Sequence, residues 1–197
     1  MKLLRLLPLT ILLVSCEAEN PPSPEVPNEK LVIPLRSSEE RRFDEKLAGI
    51  HEKWMGTPWT FSGTSQTPGE GSIACGYFVT TTLQQAGMEV ERVRLAQAAS
   101  EQMILAIADP DSIRRFSNAS LEDFLEDLRS QGEGYYIVGL DNHTGFLKVS
   151  SDGTVAFVHS GPGRGVVSEN PAEASELANS RYRVTGKLAG TEASPIP

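Results

Sequence analysis

Two hydrophobic textures divide this chain, helical periodicity first and alternation afterwards. Ser37-Ser38-Glu39-Glu40 forms a capping signal ahead of apolar positions Phe43, Leu47, Ile50 and Trp54, which predicts a helix ended by Gly56. His51, beside Ile50, falls on the polar flank of that helix and is expected to be solvated. Residues 57–72 are turn-rich, with Pro58, Gly63, Pro68, Gly69 and Gly71. Cys75 opens a second helical pattern through Phe78, Val79 and Leu83, with Gly87 as its stop. A further helix is expected over 91–108, and another starts at Ser120-Leu121-Glu122-Asp123 and ends at Gly132.

Period two then takes over, predicting strands over 135–140, 143–150, 154–160 and 181–188. Helices followed by antiparallel strands give an α+β domain, its N-terminal helices packed on a small sheet. Ser151-Asp152-Gly153 is a favoured three-residue hairpin loop with glycine in the left-handed position. That loop pairs Val149 with Val155, Leu147 with Phe157 and Gly145 with His159. His143 then lies on the same face, diagonal to His159 at roughly 7–8 Å. The face is otherwise apolar, whereas Thr144, Lys148, Ser150, Thr154 and Ser160 occupy the other. A slip of one residue would send the two histidines to opposite faces, so the pattern specifies the register.

Composition adds a compartment and removes a class of partner. Lys2 and Arg5 precede an apolar run over 6–14, too short to span a membrane and read as the core of a signal peptide (1–15). Proline-rich residues 16–36 read as an extended tether, 37–190 as the domain, and 191–197 as a frayed tail. The whole chain has a formal net charge of −8, and the signal segment carries bases but no acids. The remainder is therefore still more acidic and would repel a nucleic acid.

The chain has two cysteines, Cys16 and Cys75. Leu13-Val14-Ser15-Cys16 resembles a bacterial lipobox, in which the cysteine is acylated and becomes the new N-terminus. That resemblance implies a lipid anchor on Cys16. Glu17, in place of an aspartate, implies the outer membrane, with the domain facing the periplasm. Cys75 is then a lone thiol in an oxidising compartment, a candidate nucleophile. A thiol of pKa about 8.5 needs activation near neutrality. The start of its helix and the imidazole of His143 are expected to lower that value. His143 would then protonate the leaving group while His159 holds its tautomer, and the N–H groups at the helix start would receive an oxyanion.

Gly56-Thr57-Pro58-Trp59, Ala74-Cys75-Gly76-Tyr77-Phe78, His143-Thr144-Gly145 and Phe157-Val158-His159 occur in that order. Over residues 40–188 the set resembles the NlpC-type papain-like cysteine peptidases of bacterial cell walls. The resemblance implies a papain-like fold, catalytic residues Cys75, His143 and His159, and hydrolysis of peptidoglycan stem peptides between D-glutamate and a diamino acid. No cofactor is expected, nor a zinc site, since the spacing of the cysteine and two histidines resembles no short ligand pair. The resemblance places Trp59, Phe61 and Gly76 at the substrate and oxyanion region. Ala74 replaces the family's aspartate, Gly76 its serine and Trp59 its tyrosine. These departures keep two other readings open: a non-catalytic peptidoglycan-binding lipoprotein, and an amidase or acyltransferase with a substrate outside the wall. Residues 161–165, Gly-Pro-Gly-Arg-Gly, are expected to form a flexible loop, with Arg164 a weaker candidate for meeting a substrate carboxylate. Asp141 and Asn142 are expected to form the turn into the strand that carries His143.

Overall fold

The computed structural model describes residues 36–188. The expected signal segment, the lipid site Cys16, all but the last residue of the tether and the tail lie outside the described residues. In chain order the elements are α1 (Ser38–Trp54), α2 (Cys75–Ala86), α3 (Arg92–Ala96), α4 (Ser100–Ile107), β1 (Arg114–Ser117), α5 (Leu121–Ser130), β2 (Gly134–Leu140), β3 (Thr144–Val149), β4 (Val155–Gly161), β5 (Gly165–Glu169), α6 (Ser175–Ala178) and β6 (Tyr182–Lys187). Six antiparallel strands form one sheet in the order β1-β6-β2-β3-β4-β5. Helices precede most of the strands, as the two textures predict.

Local chemistry sets the helix ends. Ser37 accepts the Glu40 N–H at 3.1 Å and its own N–H donates to the Glu40 carboxylate at 2.7 Å, closing the capping box of α1. At the end of α2, Met88 N–H donates to the Leu83 carbonyl and Gly87 N–H to that of Gln84, a glycine-terminated cap. Ala74, at the start of α2, offers no side-chain cap, so the first N–H groups of this helix remain available at the site.

Both faces of the sheet are covered, whereas the sequence reading had given it one apolar face and one polar one. Leu47, Trp54, Phe78, Leu83 and Ile104 pack with Ile137, Phe146, Val158 and Val184 on one side. On the other, Phe124, Leu128 and Leu177 pack with Tyr136, Val138, Leu147 and Phe157. The polar residues Thr144 and Ser160 are consequently buried, and each is satisfied. Thr144 Oγ1 donates to the Val138 carbonyl at 2.8 Å and Ser160 Oγ to that of Ile73 at 2.7 Å.

The central hairpin has the expected register. Phe146 pairs with Val158, Leu147 with Phe157 and Val149 with Val155, while Gly153 adopts φ 81° in the loop. Elsewhere tertiary packing overrides the pattern. The helix expected over 91–108 is two helices, with Ala99 non-helical at ψ 141° between them. The break lets Leu95 of α3 and Met103, Ile104 and Ile107 of α4 all reach the core on separate axes. Strand β1 is an edge strand with mostly exposed side chains, which is why no alternation marks it. The supposed loop over 161–165 is the turn of a β4–β5 hairpin, with Gly161 paired to Gly165.

His51 corrects the reading of α1. It is 2 % exposed, and neither ring nitrogen has a hydrogen-bond partner among the described residues. Phe78, Tyr135 and Phe146 surround it, with ring centroids 5.3, 5.5 and 4.6 Å away. The buried stripe of α1 is Phe43, Leu47, His51 and Trp54, a helical spacing that includes the histidine. Burial pushes its pKa down to about 3, so the ring is neutral at pH 7.

Candidate active site

The turn that begins the site is tied into the sheet edge. Gly56 N–H donates to the Val166 carbonyl and Val166 N–H returns to that of Thr57, both at 2.9 Å, so β5 fixes the strand-like entry to Trp59. Ile73 N–H reaches the Pro58 carbonyl and Ala74 N–H that of Gly63, again at 2.9 Å each. These bonds bring the end of the turn-rich segment back to its beginning and set Cys75 at the first position of α2.

Cys75 and His143 line one cleft of about 860 Å³, together with Trp59, Phe61 and Gly76. All five cleft residues expected from the sequence therefore converge, and His159 stands behind His143. The Nε2 of His143 lies 2.8 Å from Nδ1 of His159, and Nε2 of His159 lies 2.8 Å from Oε1 of Glu169. Arg164 caps the chain by donating to the second oxygen of Glu169. A carboxylate held by a guanidinium accepts hydrogen bonds, so it selects the tautomer of His159 protonated at Nε2. Its Nδ1 is then an acceptor, which takes the Nε2 proton of His143. Nδ1 of His143 is left unprotonated as the basic nitrogen. Phe157, stacked on His159 at 4.2 Å, keeps the second ring in plane.

Burial dominates the charge state of these groups. It pushes the Cys75 thiol up, against the backbone N–H groups of Thr144, Gly76 and Cys75 that favour a thiolate. Burial pushes His143 down to about 4, with the neighbouring His159 adding to the effect and Glu176 opposing it. His159 is likewise held at about 4 by burial, with Glu176 opposing and Arg164 reinforcing the shift. Both shifts run against the expectation of a thiol activated at rest, because burial disfavours the thiolate and the imidazolium alike. Alkylation of Cys75 by iodoacetamide is expected to rise only above the ordinary thiol range and to be slow at pH 6–7. A labelling rate already at its plateau by pH 7 would show a thiolate that the buried site does not support.

Gly76 answers a packing requirement. A Cβ there would lie 2.4 Å from the Ala96 carbonyl oxygen of α3, a backbone atom that cannot swing aside. Gly76→Ala is expected to cost about 1–3 kcal/mol in urea unfolding, the usual range for overpacking. A variant as stable as the parent would mean that α3 moves freely relative to α2.

Glu169, Arg164 and Glu176 are the site residues that sequence reasoning missed or misplaced. Arg164 is engaged with Glu169 and is not open to a substrate carboxylate. The signal was present in residues 161–165: once these are read as a hairpin turn, pairing Gly161 with Gly165 sets Glu169 opposite Phe157 and diagonal to His159. Asp141 forms the expected turn, accepting the N–H groups of Arg181 at 2.8 Å and Tyr182 at 3.1 Å, and it also lines the cleft. Potential metal-ligand atoms of His159, Glu169 and Glu176 lie within 4.8 Å of one another. Both nitrogens of His159 and both oxygens of Glu169 already have partners, one of them a cation, so the cluster fits a hydrogen-bond relay better than a metal site.

Comparison with known protein families matches none of their models, and comparison with curated proteins gives no match.

Proposed function

We propose that this chain is a papain-like cysteine hydrolase of the bacterial cell envelope. The observation that carries the reading is Cys75 at a helix N-terminus in one cleft with His143, itself backed by His159 and Glu169. In this reaction Nδ1 of His143 takes the thiol proton as sulfur attacks the substrate carbonyl carbon, and N–H groups at the start of α2 receive the developing oxyanion. The imidazolium is stabilised through His159 by the Glu169 carboxylate, then gives its proton to the leaving amine. Water, deprotonated by the same nitrogen, cleaves the thioester and returns the thiol. No cofactor enters these steps.

Peptidoglycan stem peptides are the substrate class that the family resemblance implies. Digestion of purified peptidoglycan, with mass analysis of the released fragments, tests it. Fragments cut within the stem peptide by the parent but not by Cys75→Ala would support it. Tight binding without cutting would instead favour a peptidoglycan-binding lipoprotein. An amidase or acyltransferase acting outside the wall is the second reading, favoured by Ala74 at the position of the family's aspartate and by the apolar side chains around the thiol.

The protein is proposed to be held by lipid on Cys16 at the outer membrane, facing the periplasm. Cys16→Ala is expected to leave the precursor unprocessed or to release the domain to the soluble fraction. Unchanged processing and membrane association would defeat the anchor.

A further inference from the structure

The walls of the cleft carry information about what enters it. Its lining includes the apolar or aromatic side chains of Trp59, Phe61, Ala74, Tyr77 and Ala96, together with neutral polar residues such as Ser62, Thr64 and Gln97. Phe61 is 89 % exposed there, an unusual position for a phenyl ring that nothing else in the described chain covers. Two carboxylates, Asp141 and Glu176, also line the cleft, and Glu176 is close enough to His143 to act on its charge. Among the described residues, no lysine or arginine lines the cleft.

The arginines close by are committed elsewhere. Arg92 lies over the Tyr77 ring at 4.8 Å, but its guanidinium donates to Thr81 Oγ1 and to the carbonyls of Thr64 and Ser65. Arg164 is spent on Glu169. The backbone N–H of Arg181 holds the Asp141 carboxyl below its ordinary range, with the Arg181 charge adding to the effect, yet Arg181 is outside the lining. Glu176 accepts from its own backbone N–H and from the Ser175 hydroxyl, and among the described residues no lysine or arginine is paired with it, so its negative charge faces the cleft.

Resting on the acyl-transfer reading of Cys75, we propose that the cleft selects a substrate with an apolar, preferably aromatic, group against Trp59, Phe61 and Tyr77 and with no negative charge beside Glu176. A neutral or ammonium-bearing leaving group satisfies that side chain, and a carboxylate is repelled by it. The flat ring faces suit an aromatic or acyl group, whose burial supplies the affinity. An acidic stem peptide is therefore a poorer substrate than an uncharged or cationic amide of the same length.

Calorimetry on the full-length Cys75→Ala protein tests this with three probes: N-phenylacetyl-glycinamide, N-phenylacetyl-lysinamide and N-phenylacetyl-glutamate. The neutral and cationic probes are expected to bind at least fivefold tighter than the anionic one. That gap should shrink in high salt, where charges are screened. Adding Phe61→Ala should weaken the neutral probe at least threefold, and its exposure makes misfolding no explanation. Adding Glu176→Gln should bring the anionic probe closer to the neutral one. Equal or tighter binding of the anionic probe, or no effect of Phe61→Ala, overturns the assignment. Mass spectrometry of the intact-thiol protein incubated with phenylacetyl thioester reads the chemistry separately. Binding in the stated order with neither an adduct on Cys75 nor Cys75-dependent release of phenylacetate would sink the hydrolase reading and leave the cleft assignment standing. An adduct without the charge order would do the reverse.

Discussion

His143→Ala is expected to remove turnover almost entirely, by a factor on the order of 10⁴, while His159→Gln leaves measurable activity. The difference follows from what each ring touches. Among the described residues, His143 offers the single nitrogen of the histidine relay that has no protein partner, and it lines the cleft with the thiol. Without it no side chain carries the proton between sulfur and leaving group. His159 acts one step back, through Nδ1 to His143 and Nε2 to Glu169. Glutamine keeps a group able to accept from His143, so the orientation survives in part, at a loss of about 10–100-fold, the usual range for outer-shell partners. Glu169→Gln should fall in the same range, because it removes the charge that stabilises the imidazolium while preserving a hydrogen bond. The Glu169 variant should also depart from the parent in the pH dependence of kcat, which a merely structural defect would leave in shape. Steady-state kinetics on whichever amide proves to be cut would decide the order. Equal losses at His143 and His159, or an active His143→Ala, would show that the proton moves by another route.

Acid should unfold this domain through His51. In the folded state burial holds its pKa at about 3, against an ordinary value of 6.5. The unfolded chain therefore binds a proton that the folded chain refuses, and stability is lost as pH falls from 6.5 toward 3. At pH 5 the loss from this one residue is about 2 kcal/mol relative to neutrality. His143 and His159, both held at about 4 by burial, act in the same direction over a slightly narrower window. His51→Leu keeps an apolar side chain of similar volume among Phe78, Tyr135 and Phe146 and abolishes the titration. Urea unfolding at pH 7 and pH 5 should thus show a drop about 2 kcal/mol smaller in the variant than in the parent. Parallel drops in the two proteins would mean that the cage admits water to the ring.

The hairpin shows how much of this site was legible from residue order. Asp152-Gly153 selects a loop, the loop selects the register, and alternation then puts His143 and His159 on one face. None of those steps needs a distant residue, which is why they survive comparison with the folded molecule. The same holds for the start of α1, where Ser37 and Glu40 satisfy each other, and for Gly87 at the end of α2. Cys75 at a helix start was visible for a similar reason, since the apolar spacing of Phe78, Val79 and Leu83 begins there.

Other features depend on neighbours that no local pattern names. His51 sits at a stripe position of α1, but its residue type argued for solvent until three aromatic rings from other elements closed over it. The break between α3 and α4 contains neither glycine nor proline, and it serves packing against α2 and the sheet. Glu169 joins the histidines only because β5 folds back along β4. The charge state of Cys75 turned on the same kind of fact: a helix start and an imidazole favour a thiolate, but enclosure by protein disfavours any charge, and the second effect is larger here. Residue order by itself determined the helices-then-sheet class, the hairpin register and the shared face of the histidines, because these rest on periodicity and turn chemistry within a few residues. The tertiary structure decided the covering of both sheet faces, the Glu169–Arg164 end of the relay and the protonation states, because desolvation and long-range contacts exist only once distant segments are packed together.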